Sequence, residues 1–80
     1  MKLLIRNLAR TTTEEELKHL FEPFGNVQSC IVVMDKNSGV SKGFGFVEMP
    51  KQGDAKAAMK SINGKEIAGS KLRVKKAENK

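Results

Sequence analysis

The octamer KGFGFVEM, residues 42–49, places the tightest constraint on how this chain can fold. Along an extended strand, successive side chains point to opposite faces. Phe44, Phe46 and Glu48 then share one face, and Gly45, Val47 and Met49 share the other. Val47 and Met49 suit a core. That leaves two of the four phenylalanines, in a chain with no Trp and no Tyr, facing water beside a glutamate. A strand with this pattern fits a sheet that is covered on one side and open on the other.

The remaining segments supply the cover. Leu3, Leu4 and Ile5 form a short apolar run that stops at Asn7, a first strand. In TTTEEELKHLFEPFG, Thr13 and Glu16 make a capping box, and the glutamates suit the positive end of a helix dipole. Leu17, Leu20, Phe21 and Phe24 fall on one helical face, which Pro23 and Gly25 bring to an end. A second strand is expected from about Val27 to Met34, followed by the turn-rich loop DKNSGVSK and the octamer.

Pro50 closes the octamer strand. Ala55, Ala58, Met59 and Ile62 mark a second helix, ended by Asn63-Gly64. Its start has no clean cap, so Gly53 or Asp54 must serve, with fraying expected. A last strand, Lys71 to Lys76, alternates Leu72 and Val74 with Arg73 and Lys75. Lys65 to Ala68 is a candidate minor strand. The order β-α-β-β-α-β predicts an α+β, ferredoxin-like fold: a four-stranded antiparallel sheet with two helices on one face.

Eighty residues make one small domain, here 1–77 with a short tail at 78–80. The formal charge of +6 suggests a polyanionic partner, nucleic acid before acidic membrane or protein. Cys30 is the single cysteine, which excludes an intrachain disulfide and a thiolate metal cluster and fits a reducing compartment. Its alternation with Val32 predicts a buried, inert thiol. The opening MKLLIRNLAR has too short an apolar run for a signal peptide or a membrane span. The expectation is a soluble, cytoplasmic monomer without cofactor.

The octamer resembles the long motif of the RNA recognition motif family, Lys/Arg-Gly-Phe/Tyr-Gly/Ala-Phe-Val-x-Phe/Tyr. Lys42 through Glu48 agree with it, and Met49 replaces the final aromatic. The hexamer Leu3-Leu4-Ile5-Arg6-Asn7-Leu8 resembles the family's short motif, with Leu4 where an aromatic is usual. Among family members, the likeness is to stand-alone single-domain proteins of bacteria and plastids. The resemblance implies binding of single-stranded RNA, and of single-stranded DNA as a further ligand, with stacking on Phe44 and Phe46 and phosphate or base contact by Lys42. Arg6, Arg73 and Lys75 share the open face by parity, as does Glu48. With Leu4 and Asn7 of the short motif these residues make the candidate RNA-binding set. Gly45 is expected to keep bulk off the face where a helix packs, and Gly43 to let the backbone turn out of the loop.

Leu4 and Ile31 fall on the open face as well. With the two rings they would form an apolar patch, so a peptide-binding module is the alternative reading. A post-transcriptional or RNA-chaperone role follows from the family likeness. Enzymes of the same topology, such as acylphosphatases, need a glycine loop with an arginine directly after the first strand. Here that strand leads through Asn7 and Leu8 into a helix cap. A heavy-metal carrier would need paired cysteines. His19 lies off its helix's apolar stripe without a second His or Cys, and Glu14, Glu15 and Glu16 read as helix-end charge. The chain is therefore expected not to be an enzyme.

Overall fold

The computed structural model describes residues 1–77, so the predicted tail at 78–80 lies outside the described residues. The elements are β1 (Lys2–Arg6), α1 (Glu14–Phe21), β2 (Ser29–Met34), β3 (Ser41–Glu48), α2 (Gln52–Ile62), β4 (Glu66–Ile67), β5 (Ser70–Lys71) and β6 (Arg73–Lys76). β2, β3, β1 and β6 form one antiparallel sheet in that order, and β4 and β5 form a separate small hairpin. The predicted α+β architecture is thus present.

α1 begins as its sequence dictates. Thr13 Oγ1 accepts from the Glu16 backbone N–H at 3.2 Å, and Glu16 Oε1 accepts from the Thr13 N–H at 3.0 Å. Its end comes earlier than the apolar stripe suggests. Pro23 cannot continue an α-helix, because its ring would meet the carbonyl four residues back. Glu22–Phe24 tighten into a 3-10 turn, and Phe24 packs against the core from there.

β2 starts at Ser29, two residues later than expected. α2 is capped by neither Gly53 nor Asp54: its N-cap is Lys51, which makes no side-chain cap bond, and Asp54 contributes a first-turn charge. The expected last strand divides. Lys71 pairs with Glu66 in the hairpin, within the candidate minor strand Lys65–Ala68, and the main sheet resumes at Arg73.

One side of the sheet carries the core. Leu3, Ile5, Val32, Val47, Met49 and Val74 meet Leu17 and Phe21 of α1 and Ala55, Ala58 and Ile62 of α2. Each outer edge is bonded at one position by a side chain from a helix end. Glu14 Oε2 accepts from the Val32 N–H on β2, and Asn63 Oδ1 accepts from the Val74 N–H on β6, each at 3.0 Å. An unpaired edge is a template for another strand, and a side chain bonded into it interrupts that template.

β3 carries an irregularity that aims its motif. Val32 stands opposite Gly45 but Met34 opposite Ser41, so Val33 alone spans Lys42, Gly43 and Phe44. Gly43 sits in this bulge with φ +86°, a conformation that side chains disfavour. Its carbonyl accepts from the Leu8 N–H at 2.8 Å, tying the end of β1 to the bulge. Gly45 has a different role from the one expected. A Cβ there would strike the Ile31 carbonyl oxygen of β2, not a helix. The glycine permits close approach of the two strands.

Candidate nucleic-acid interface

The strand register arranges the open face in rows. Ile31, Phe46, Leu4 and Lys75 are consecutive cross-strand partners. Phe44, Arg6 and Arg73 form the row on one side, and Ser29, Glu48 and Lys2 the row on the other. The period of two therefore places Leu4, Arg6, Phe44, Phe46, Glu48, Arg73 and Lys75 together, as their parity predicted. Lys42 is exposed beside them at the bulge.

Neither ring is buried in the core. Phe44 and Phe46 are half-buried, with centroids 6.1 Å apart and planes at 86°. This edge-to-face contact fixes the orientation of the pair. Lys2 Nζ lies 5.0 Å from the Phe46 centroid, a cation–π contact. Ile31 is 48% exposed at the head of the row, and Met34 and Val40, which flank the β2–β3 loop, are exposed as well. That loop is ordered by Asp35, whose Oδ1 accepts from the Asn37 and Ser38 N–H groups.

The electrostatics of the face are one-sided. Among the described residues, Lys2, Arg6, Lys42, Arg73 and Lys75 stand against Glu48 alone on this surface and none of them forms an ion pair, whereas Lys18 of α1 pairs with Glu22. Arg6, Asn7, Arg73 and Lys75 line a shallow depression of about 320 Å³. Arg6 and Asn7 also line a second, of about 270 Å³, with Arg10, Lys42 and Phe44. Such clefts concentrate anions.

Asn7 has a positioning part in this geometry. It adopts φ +62°, and its Nδ2 donates to the Lys71 carbonyl at 2.7 Å. The bond fixes the end of β1, and with it Arg6, against the β5 strand of the hairpin, two residues before β6. Sequence reasoning missed Lys2 and Arg10. Lys2 has the same parity as Leu4 and Arg6, and a strand begun one residue earlier would have included it.

Cys30 lies on the covered side, between α1 and β2, and is only half-buried. Its Sγ donates to the Glu14 carbonyl at 3.4 Å. Burial pushes the thiol up to about 11, with the Glu14 charge adding to the effect and Lys18 opposing it. Such a thiol is protonated and unreactive at neutral pH. Among the described residues no cluster of three or more His, Cys, Asp or Glu is placed to hold a metal, and no helix is long and apolar enough to cross a membrane.

Comparison with known proteins agrees with this geometry. Residues 3–73 match the model of the RNA recognition motif family. The chain is 37% identical over 79 residues to Glycine-rich RNA-binding protein 1 of Mycosarcoma maydis, covering 99% of this chain and 45% of that protein. It spans less than half the length of the curated relatives it matches. The crystal structure of RNA Binding Protein PG1 superposes with a TM-score of 0.95 at 39% identity, covering 100% of this chain and 96% of that one. An Sxl-lethal protein–RNA complex does so with a TM-score of 0.93 at 29% identity, over 99% of this chain and 47% of that one. With both motifs on adjacent central strands of the matching fold, the chain belongs to the RNA recognition motif family.

Proposed function

We propose that the open face of the sheet binds single-stranded RNA. Unstacked bases lie on Phe44 and Phe46, and Arg6, Lys42, Arg73 and Lys75 hold phosphates. The observation that carries this reading is the pair of half-exposed rings at the centre of a surface rich in cations without ion pairs. A ring on a rigid sheet is a stacking platform for any base, and the cations add affinity by releasing counterions. Family membership and the relatives named as RNA-binding support it. The chain acts as a binding module and not as an enzyme, in post-transcriptional control or as an RNA chaperone, and takes single-stranded DNA by the same stacking. The side-chain bond that interrupts each sheet edge supports a monomer, and a lone thiol supports a reducing, cytoplasmic setting.

The exposed row Ile31–Phe46–Leu4 favours a second reading, an apolar peptide partner on the same face. An NMR titration with short RNA pentamers at two salt concentrations tests the first. Shifts at Phe44, Phe46, Arg6 and Arg73 that weaken with salt are expected. Silence on this face, or binding indifferent to salt, would turn the assignment toward the peptide.

A further inference from the structure

Among the described residues on the open face, Glu48 is the one acid. It is directly opposite Lys2 in register, and the two form no ion pair. Lys2 instead leans over the Phe46 ring. A carboxylate on a phosphate-binding surface repels the backbone it is meant to accompany, so its position beside the stacking ring calls for a different ligand group.

The charge pattern orients a bound base. Arg6, Arg73 and Lys75 gather at one end of the face, where they line a common depression. Phosphates settle there. A base stacked on Phe46 from that side directs its edge away from the arginine row, toward the row of Glu48 and Lys2. Glu48 is two residues along the strand from Phe46, about 6.8 Å, within reach of the edge of a base on the ring. Lys2 already touches that ring, and a base laid on it displaces the ammonium toward the same edge.

The two side chains together offer a specific hydrogen-bond pattern. Ionised Glu48 has two acceptor oxygens and Lys2 has donors only. In a single strand the Watson–Crick edge is open to reading. Guanine presents two adjacent donors, N2–H and N1–H, followed by the O6 acceptor. Acceptor, acceptor, donor is its complement, the pattern that cytosine offers. Adenine and cytosine each give the carboxylate one amino donor beside a ring nitrogen lone pair, and uracil gives one donor between two carbonyls. We infer that Glu48 and Lys2 form a guanine-selective reader at the edge of the base stacked on Phe46. The inference rests on the RNA-binding reading above and adds the base class it selects.

The test is fluorescence anisotropy at fixed salt with the pentamers UUUUU, UUGUU, UUAUU and UUCUU. A bidentate base contact carries discrimination of about tenfold or more, so wild type is expected to bind UUGUU tightest by at least that factor. Glu48→Gln replaces one acceptor by a donor that opposes guanine. It should reduce the preference to less than about threefold, and it should tighten UUUUU, because a negative charge has left the face. A carboxylate with a merely structural role would not produce this opposite movement. Lys2→Ala should weaken UUGUU more than UUUUU. Equal wild-type binding of all four pentamers, a preference for another base, or parallel weakening of every pentamer by Glu48→Gln in a folded protein overturns the guanine reader and leaves RNA binding intact. If wild type binds no pentamer, both readings fail.

Discussion

Arg6 and Arg73 stand directly opposite each other on adjacent antiparallel strands, both exposed on the open face. Like charges in this arrangement repel, and a cross-strand pair is worth about 0.2–1 kcal/mol in either sense. Asn7 holds the end of β1 in place beside them through its bond to Lys71. The fold therefore keeps two guanidinium groups together where an anion between them relieves the repulsion.

Arg73→Gln should leave the unliganded protein as stable, or more stable by up to about 1 kcal/mol, while weakening RNA. With three or four cations on phosphates, log K should fall against log salt with a slope of roughly −2 to −3, at about 0.7 for each phosphate neutralised on a single strand. The variant should lose about 0.7 of that slope. Urea denaturation and binding at four salt concentrations measure both effects. An unchanged slope removes Arg73 from the phosphate contacts.

Phe46 and Phe21 make a paired test of the two faces. Phe21 is fully buried between α1 and the sheet, whereas Phe46 is half-buried on the open side. Phe21→Ala should cost about 3–5 kcal/mol of stability through the cavity it leaves. Phe46→Ala should lose about 1–3 kcal/mol of RNA affinity and little stability beyond its contacts with Lys2 and Phe44. Chemical denaturation and RNA titration of both variants would show an error in the faces if the two behaviours were exchanged.

The central strands were legible because their information is local. A period of two in KGFGFVEM, with the apolar run before Asn7, suffices to put Leu4, Phe44, Phe46 and Arg6 on one face. Thr13 and Glu16 mark a helix start within four residues. What periodicity cannot carry is a partner distant in sequence. Glu14 reads as dipole charge, yet its carboxylate closes the edge of β2 at Val32. Lys71 reads as part of the last strand, yet Ala68 and Gly69, both at positive φ, turn the chain so that Lys71 pairs with Glu66. Lys2 was omitted because a charged residue at a strand's start carries no apolar signal.

Gly45 tests the strand packing. Any Cβ at this position meets backbone of β2, which has no rotamer to give way. Gly45→Ala should destabilise by about 1–3 kcal/mol and disturb amide resonances at Ile31 and Val32 first. A variant as stable as wild type would mean that β2 and β3 are not so closely apposed.

The Cys30 thiol gives a pH-dependent prediction. Its folded value, about 11, lies above its ordinary 9.0. The folded state thus favours the protonated thiol. That contribution to stability is complete below about pH 9 and is lost as pH rises toward 11. At pH 8 the native thiol should react with a maleimide more than about tenfold more slowly than the urea-unfolded chain, since the thiolate is the nucleophile. Equal rates would mean that the half-buried thiol is open to solvent.

On the open face, Leu4 is where this chain departs from its family's aromatic pattern. It pairs across the sheet with Phe46 on one side and Lys75 on the other, and is half-buried on the open face. A leucine offers a base apolar contact but no π-face, so the platform has two rings where three fit. Leu4→Phe or Leu4→Tyr should extend it and tighten a short RNA by about 1 kcal/mol or more, the low end for one stacked base. The core lies on the other side of β1, at Leu3 and Ile5, so the larger side chain should not overpack it. Binding of one RNA pentamer to wild type and both variants at fixed salt, with the fold checked by circular dichroism, measures the effect. A ring that weakens binding in a folded protein would show that Leu4 serves an apolar partner, and the stacking account of this face would have to be abandoned.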